Sequence, residues 1–273
     1  MSVDQSAIVE LVDWFDTPAG QYVLDWERRQ IDAMVVNVFG FHAIQVGLVG
    51  YDLLRANRIP HRSRVAELPG LGADLGASLA ADPAHLPFDA QSLDLLLLPH
   101  VLEASEDPHQ ILREAIRVLV PEGRLVLTGF NPWSLWGIRE RLPGLEPLLP
   151  APVHAQVSLP RLKDWFKLLD LELDRGRFGA YAPPCVTEKW LRRWRFMEAA
   201  GDRWWPVCGA VYAVSAVKRV QGMTLVQPGW KKKSRRRARR TAVVAGSPTG
   251  MSRGVSSQEP MEARNEPDGR CKQ

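Results

Sequence analysis

Apolar residues recur at helical spacing in two segments near the start of the chain, residues 6–18 and 21–38. In the second segment they are Leu24, Ile31, Val35 and Val38. The sequence Pro18-Ala19-Gly20 separates the two segments, and proline and glycine commonly interrupt helices. We therefore predict two N-terminal helices whose apolar stripes cover another part of the protein.

From His42 onward, short apolar runs alternate with turn residues and amphipathic segments, which is the pattern of a parallel sheet with helices between its strands. Residues 93–98 form a nearly continuous apolar run, typical of a strand buried on both faces. Asp107 followed by Pro108 predicts the start of a helix that extends to residue 119. A turn over 120–123 then leads into a second buried strand, 124–130.

The remaining periodic segments predict a helix over 160–169 and strands over 171–178 and 209–217. Between these strands, residues 187–199 are rich in tryptophan and arginine and predict a further helix. This helix could form a lid, a membrane-surface helix or a partner site, or it could pack its tryptophans onto the domain. Asn131 is predicted to cap a short helix that begins at Pro132.

Charge is distributed unevenly between the two ends of the chain. The net charge of +4 arises in residues 228–273, which hold 12 Lys or Arg against 4 acids, whereas residues 1–227 hold 23 bases and 27 acids. This C-terminal segment has too few apolar residues to build a core, so we expect a disordered basic tail. Its charge would give weak contact with nucleic acid or an anionic surface, or would act only as a solubilising end.

Cysteine usage and hydropathy limit the compartment and the class of site. Only three cysteines occur, at positions 185, 208 and 271, so the sequence favours neither a disulfide framework nor a metal site. No secretory signal or membrane-spanning apolar run is evident. The sequence therefore predicts a soluble protein located in the cytoplasm.

The stretch from Asp82 to Pro132 carries the most specific motifs. Asp82 is followed by Leu86-Pro87-Phe88, then by Leu102-Glu103 after a buried strand, and by Arg117-Val118-Leu119-Val120-Pro121-Glu122-Gly123 before the next strand. About 50 consecutive residues in this order and spacing resemble the type 11 branch of the class I S-adenosylmethionine-dependent methyltransferases. Upstream, Trp14 to Tyr22 is similar to an uncharacterised bacterial subgroup of that superfamily.

The resemblance implies an α/β fold, a Rossmann-like seven-stranded methyltransferase sheet with helices on both faces and an antiparallel last strand. It implies a methyltransferase-like domain over 41–227, which follows the N-terminal helical segment at 1–40 and precedes the disordered basic tail at 228–273 that the residue patterns predict. The implied cofactor is S-adenosylmethionine, lying across the carboxyl ends of the first two strands, as ligands do in open α/β sheets.

Carried onto this sequence, the family's acid-x-Gly-x-Gly-x-Gly turn falls on residues 45–51. Gln45 stands in place of the acid and Gly47 matches one glycine, while Val49 and Tyr51 replace the other two. Glycines at such turns allow close backbone approach to a ligand. The departure leaves an altered cofactor pose, weak binding or no binding open, although the resemblance still assigns Gln45 and Gly47 to the cofactor site.

Two carboxylates are candidates for the nucleoside part of the cofactor. Glu67 follows a short strand near Arg64 and is the candidate for the ribose hydroxyl groups, with a solvated surface residue as the alternative. Asp82 is the candidate for the adenine edge, with turn or helix capping as the alternative. Only 37 positions separate Gln45 from Asp82, which predicts a truncated helix in this interval.

Pro99 and His100 end the apolar run at 93–98. The resemblance places Pro99 beside the cofactor and His100 where such enzymes face the methyl acceptor, so His100 is the candidate general base. Its alternative role is that of a polar structural residue. Trp133 and Trp136 are candidates for lining the acceptor pocket.

The leading functional hypothesis is an S-adenosylmethionine-dependent methyltransferase that acts on a small molecule. The alternative is a non-catalytic scaffold or interaction protein that keeps the fold with a degenerate cofactor site. A nucleic-acid-binding protein rests only on the tail. A nicotinamide-dependent oxidoreductase is disfavoured because the glycine spacing does not match.

Overall fold

The computed structural model describes residues 5–67, 76–142, 144, 148–150, 156–184, 187–194 and 196–219. The chain divides into two units, Met1–Met223 and Thr224–Gln273, and every described residue belongs to the first unit. The predicted tail at 228–273 therefore lies outside the described residues.

Seven strands and seven α-helices follow one another in the described part of the chain. In chain order they are α1 (Gln5–Phe15), α2 (Pro18–Val35), β1 (His42–Val46), β2 (His61–Ala66), β3 (Leu79–Ala80), β4 (Leu93–Pro99), α3 (Pro108–Val118), β5 (Leu119–Phe130), α4 (Leu135–Glu140), α5 (Leu159–Leu168), β6 (Leu171–Gly179), α6 (Glu188–Arg193), α7 (Met197–Trp204) and β7 (Val211–Lys218). A 3-10 turn, Pro206–Cys208, precedes β7.

The strands form one sheet in the order β3-β2-β1-β4-β5-β7-β6. The first five strands run parallel, whereas β7 is antiparallel to both β5 and β6. The order reverses between β1 and β4, so the carboxyl ends of these strands flank the crevice where open α/β sheets bind ligands. The predicted seven-stranded sheet with an antiparallel last strand is confirmed.

Helices cover both faces of the sheet because alternate strand residues point to opposite sides. On one face, α1 and α2 share a core with Leu95 and Leu97 of β4. On the other face, α3 and α5 share a core with Leu96 and Leu98 of the same strand. The N-terminal helices are thus part of the same folded body as the sheet, and their apolar stripes cover it as predicted.

Four local details differ from the sequence prediction. Thr17 caps α2 through a hydrogen bond from the Gly20 amide, so Pro18 opens this helix instead of interrupting it. The predicted turn at 120–123 is an irregular first part of β5. Residues 47–60 contain turns and no helix, so the shortening before β2 goes further than predicted. The predicted helix at 187–199 is divided into α6 and α7.

Asn131 caps a turn before α4 and not the helix itself, since its side-chain oxygen accepts a hydrogen bond from the Trp133 amide at 3.1 Å while the helix begins only at Leu135. Ser134 caps α4 by accepting a hydrogen bond from the Gly137 amide. The Asn131 Nδ2 also donates to the carbonyl oxygens of Val207 and Gly209, at 2.8 and 2.9 Å. These partners lie more than 70 positions away in sequence, so the local pattern could not indicate them.

Candidate functional site

Gln45, at the end of β1, organises the turn that follows. Its side chain is fully buried, and Nε2 donates to the carbonyl oxygens of Gly47, Leu48 and Tyr51 at 3.0, 3.1 and 2.9 Å. Its Oε1 accepts a hydrogen bond from the Leu53 amide at 3.1 Å. The carboxamide is therefore satisfied within the loop, so the fold uses this side chain for local structure.

Gly47 is the residue where this turn requires glycine. Its φ of +85° lies in the left-handed region, where a Cβ atom causes strain. A Cβ atom there would also lie 3.0 Å from Oε1 of Glu67 and 3.0 Å from Cγ2 of Val101. The turn after β1 therefore contacts both the end of β2 and the segment after β4.

Glu67 follows β2 and presents a carboxylate that lacks a partner among the described residues. The residue is 9% exposed, and no hydrogen bond or ion pair reaches it from any residue that the structure describes. Burial raises the pKa of Glu67 to about 7 from its usual value of 4.5. A buried, unpaired carboxylate is costly, which makes this group a candidate for binding a ligand.

A small cavity, which we call the Gly47 cleft, opens between the turn after β1 and helix α1. Its volume is about 160 Å³. Its lining residues are Ile8, Val12, Asp16, Gly47, Leu48, Val49, Gly50, Tyr51, Ala66 and Glu67. Val49 and Tyr51, which stand at the family's glycine positions, thus line the cleft without filling it.

Asp82 lies at the same edge of the sheet as Gly47 and Glu67. Each of the three residues follows the carboxyl end of its strand. Val46 pairs with Val65 and Ala66 pairs with Ala80, so these strand ends lie side by side. The Asp82 side chain accepts a hydrogen bond from the Ala84 amide at 2.9 Å, and its other oxygen lies 3.5 Å from His85. These contacts are those of a turn-capping residue.

Pro99 and His100 lie at the carboxyl end of β4 and both are buried. His100 has a φ of +56° and is fully enclosed. Its ring packs against Phe15 and Phe130, with centroid separations of 5.3 and 4.4 Å. Its Nε2 lies 2.7 Å from Oε1 of Glu27, and its Nδ1 lies 2.8 Å from Oε2 of Glu103.

These contacts determine the protonation state of His100. Burial alone would lower its pKa, but the charges and hydrogen bonds of Glu27 and Glu103 outweigh that effect and raise the pKa to about 10. Burial raises the pKa of Glu103. His100 is therefore cationic at neutral pH and shielded from solvent, so this geometry does not support the predicted role as a general base.

The Glu27–His100–Glu103 cluster joins α2 to the sheet, since Glu103 also accepts a hydrogen bond from the Phe130 amide at the end of β5. Sequence reasoning missed Glu27. It lies three residues after Leu24 and four before Ile31, on the buried stripe of α2. An acid on such a stripe indicates a buried partner, and that signal was available.

The tryptophans proposed for an acceptor pocket lie in different environments. Trp136 is 1% exposed, and its Nε1 donates to the Ala182 carbonyl oxygen at 2.8 Å. Trp133 is 65% exposed beside Arg141. Within the described ranges, no helix is long and apolar enough to cross a membrane, and no group of His, Cys, Asp and Glu has the arrangement of a metal site.

Comparison with known proteins agrees with this architecture. Residues 50–127 match the family described as "Methyltransferase domain". The chain is 35% identical over 168 residues to the uncharacterized protein YafS of Escherichia coli, covering 60% of this chain and 67% of YafS.

Among solved structures, the chain is similar to one from a Haloferax volcanii complex between the Trm112 methyltransferase activator and a methyltransferase. The TM-score is 0.54 at 16% identity, and the match covers 78% of this chain and 99% of that one. This similarity concerns the fold. Together with the matched family and the strand order, it identifies the chain as a member of the class I S-adenosylmethionine-dependent methyltransferase superfamily.

Proposed function

We propose that this protein is an S-adenosylmethionine-dependent methyltransferase acting on a small molecule, and that it holds the cofactor at the Gly47 cleft. The observation that carries the proposal is the carboxylate of Glu67. It is buried, it has no partner among the described residues, and it lies against Gly47 at the carboxyl end of β2. A ribose diol supplies two hydroxyl donors, which match such a carboxylate.

Several further features fit an adenosyl ligand. Leu48 and Val49 give the cleft an apolar wall, and Gly47 lets the backbone approach closely. We propose Glu67 as the ribose ligand, and we keep Asp82 and Pro99 as proposed contacts of the adenine end and the cofactor. Gln45 would act indirectly, by holding the turn through its three carbonyl contacts.

The volume of the cleft sets a condition on binding. About 160 Å³ is less than the roughly 300–1,000 Å³ typical of small-molecule sites. A whole adenosylmethionine would therefore extend beyond the cleft or require α1 to shift. Since α1 contributes Ile8 and Val12 to the wall, it is the element whose movement would enlarge the site.

S-adenosylmethionine supplies a methyl group on a positively charged sulfur, so the protein's task is mainly to position two reactants and exclude water. His100 contributes by fixing the end of β4 through its bonds to Glu27 and Glu103. We therefore propose His100 as a positioning residue, in place of a base.

The alternative proposal is a non-catalytic scaffold. It is favoured by the buried Gln45 carboxamide, which is satisfied inside the loop, and by Val49 and Tyr51 at two glycine positions. We also propose that residues 1–40 are an N-terminal helical segment of the methyltransferase-like domain at 41–227, that the protein is cytoplasmic, and that the basic tail contacts anionic partners.

Calorimetric titration with S-adenosylmethionine distinguishes the two proposals. We expect one-to-one binding to the full chain, weakened about 10- to 150-fold by Glu67→Gln, because a hydrogen bond to a charged group is worth about 1.5–3 kcal/mol. The exposed Glu106→Gln carries the same charge change and should bind as the wild type does. Equal affinity of both variants would refute the assignment of Glu67, and no binding by the folded wild type would favour the scaffold.

A further inference from the structure

A second, larger cavity lies between α2 and α6, and we call it the polar cavity. Its volume is about 640 Å³, within the range of small-molecule sites. Asp16, which lies in the short connection between α1 and α2, lines both this cavity and the Gly47 cleft. The two cavities are therefore adjacent, as a methyl donor and its acceptor must be.

Charged side chains dominate the wall of the polar cavity. Four are acidic and two are basic: Asp16, Asp25, Glu188, Glu198, Arg29 and Arg192. Arg192 is paired with Glu188 at 2.5 Å, so these two charges offset each other. Among the described lining residues, the other three carboxylates then face one guanidinium, that of Arg29.

The three remaining carboxylates differ in how far the protein neutralises them. Glu198 accepts hydrogen bonds from the Tyr22 hydroxyl and the Tyr181 amide, both uncharged donors. Asp16 accepts one from the Tyr51 hydroxyl at 2.8 Å. Among the residues that the structure describes, Asp25 has one ion-pair partner, Arg28 at 4.0 Å, and its side chain is 65% exposed. The cavity wall thus has an excess of negative charge that its own hydrogen bonds leave in place.

We infer that the polar cavity is the methyl-acceptor site and that it takes a small organic cation, a molecule with an ammonium group. An ammonium group supplies up to three donors and a positive charge, which complement these carboxylates. An anionic molecule of the same size would be repelled. The assignment of this cavity as the acceptor site rests on the proposed function. The preference for cations can be measured without the cofactor.

Two probes of matched shape and opposite charge test the preference. Tyramine carries an ammonium group, and 4-hydroxyphenylacetate carries a carboxylate on nearly the same skeleton. Calorimetric titration of the full-length protein is expected to give tyramine at least tenfold tighter binding than the acid. Added salt should reduce the difference because the attraction is between exposed charges.

Variants locate the binding. Asp25→Asn should weaken tyramine binding up to about fivefold, the size expected for one exposed charge pair, and Arg29→Gln should strengthen it. Asp13→Asn is the matched control, because Asp13 is also an exposed aspartate but does not line this cavity. Equal effects of Asp13→Asn and Asp25→Asn would overturn the assignment, as would equal binding of both probes.

The outcomes also separate this inference from the proposed function. If S-adenosylmethionine binds and tyramine does not, the cation site is refuted while the cofactor site stands. If tyramine binds in the predicted way and S-adenosylmethionine does not, the cavity is a cation site and its role as an acceptor site is refuted.

Discussion

Replacing Glu67 by glutamine removes the charge from a buried side chain that lacks a partner among the described residues, and it keeps the shape nearly constant. In the folded protein burial raises the pKa of Glu67 to about 7, whereas its usual value is 4.5. The folded state therefore holds the proton to higher pH than the unfolded chain. The destabilising contribution of Glu67 is therefore smallest below about pH 4.5 and grows as the pH rises to about 7.

The magnitude follows from the two pKa values. One pKa unit corresponds to about 1.4 kcal/mol, so the ionised carboxylate costs about 3 kcal/mol at pH 8 and less than about 1 kcal/mol at pH 5. Glutamine does not titrate. The free energy of unfolding of Glu67→Gln, relative to the wild type, should thus increase by about 2.5 kcal/mol between these pH values. Any fixed cost of burying the amide cancels in this comparison.

Urea unfolding at pH 5 and pH 8 measures this difference, with Glu106→Gln as the exposed control. In thermal unfolding, the corresponding change is an increase of about 5–10 °C in the relative melting temperature. The same variant should lose affinity for S-adenosylmethionine. Its stability relative to the wild type would thus rise from pH 5 to pH 8 although its cofactor binding is weaker. A pH-independent difference between Glu67→Gln and the wild type would refute the burial of an unpaired carboxylate at this position.

Three further substitutions test the surrounding structure. Gln45→Glu restores the family's acid but removes the donor to three carbonyl oxygens. We therefore expect urea unfolding to show a decrease of about 3 kcal/mol or more in the free energy of unfolding. Tighter cofactor binding by this variant would contradict the reasoning. Gly47→Ala introduces a Cβ atom at a φ of +85° and should lower the free energy of unfolding by about 1–2 kcal/mol. It should also weaken the binding of S-adenosylmethionine in calorimetry. Unchanged stability and affinity would argue against close approach of the ligand to this backbone. His100→Asn leaves two buried carboxylates uncompensated and should cost about 3–5 kcal/mol at pH 7. Because its pKa is raised to about 10, the contribution of His100 is present in full below about pH 6.5 and is lost as the pH rises through about 10, so the difference from the wild type should shrink there in urea unfolding.

Local patterns predicted those parts of the fold whose partners lie nearby in sequence. The apolar run at 93–98 and the Asp107-Pro108 cap gave β4 and α3 to within a residue. Asn131 does cap a turn through the Trp133 amide, but α4 begins only at Leu135 with Ser134 as its cap. The further bond of Asn131 to Val207 had no signal in the local sequence. A side-chain bond to residues more than 70 positions away leaves no sign in the local pattern.

The candidate site divides in the same way. The spacing of Gly47 and Glu67 sufficed to place both residues at strand ends, since parallel strands bring their carboxyl ends to one edge. The enclosure of His100 by Glu27 depends on how α2 packs against β4, which spacing alone does not reveal. The polar cavity likewise arises from tertiary packing of α2 against α6.

A crystal structure of the full chain soaked with S-adenosylhomocysteine, the demethylated form of the cofactor, tests the central proposal most directly. We predict that the ribose hydroxyls lie within hydrogen-bond distance of the Glu67 carboxylate and that the protein backbone at Gly47 contacts the ligand. A ligand bound elsewhere would contradict the proposed cofactor site. Absence of ligand density in the Gly47 cleft after soaking at a saturating ligand concentration would contradict it as well.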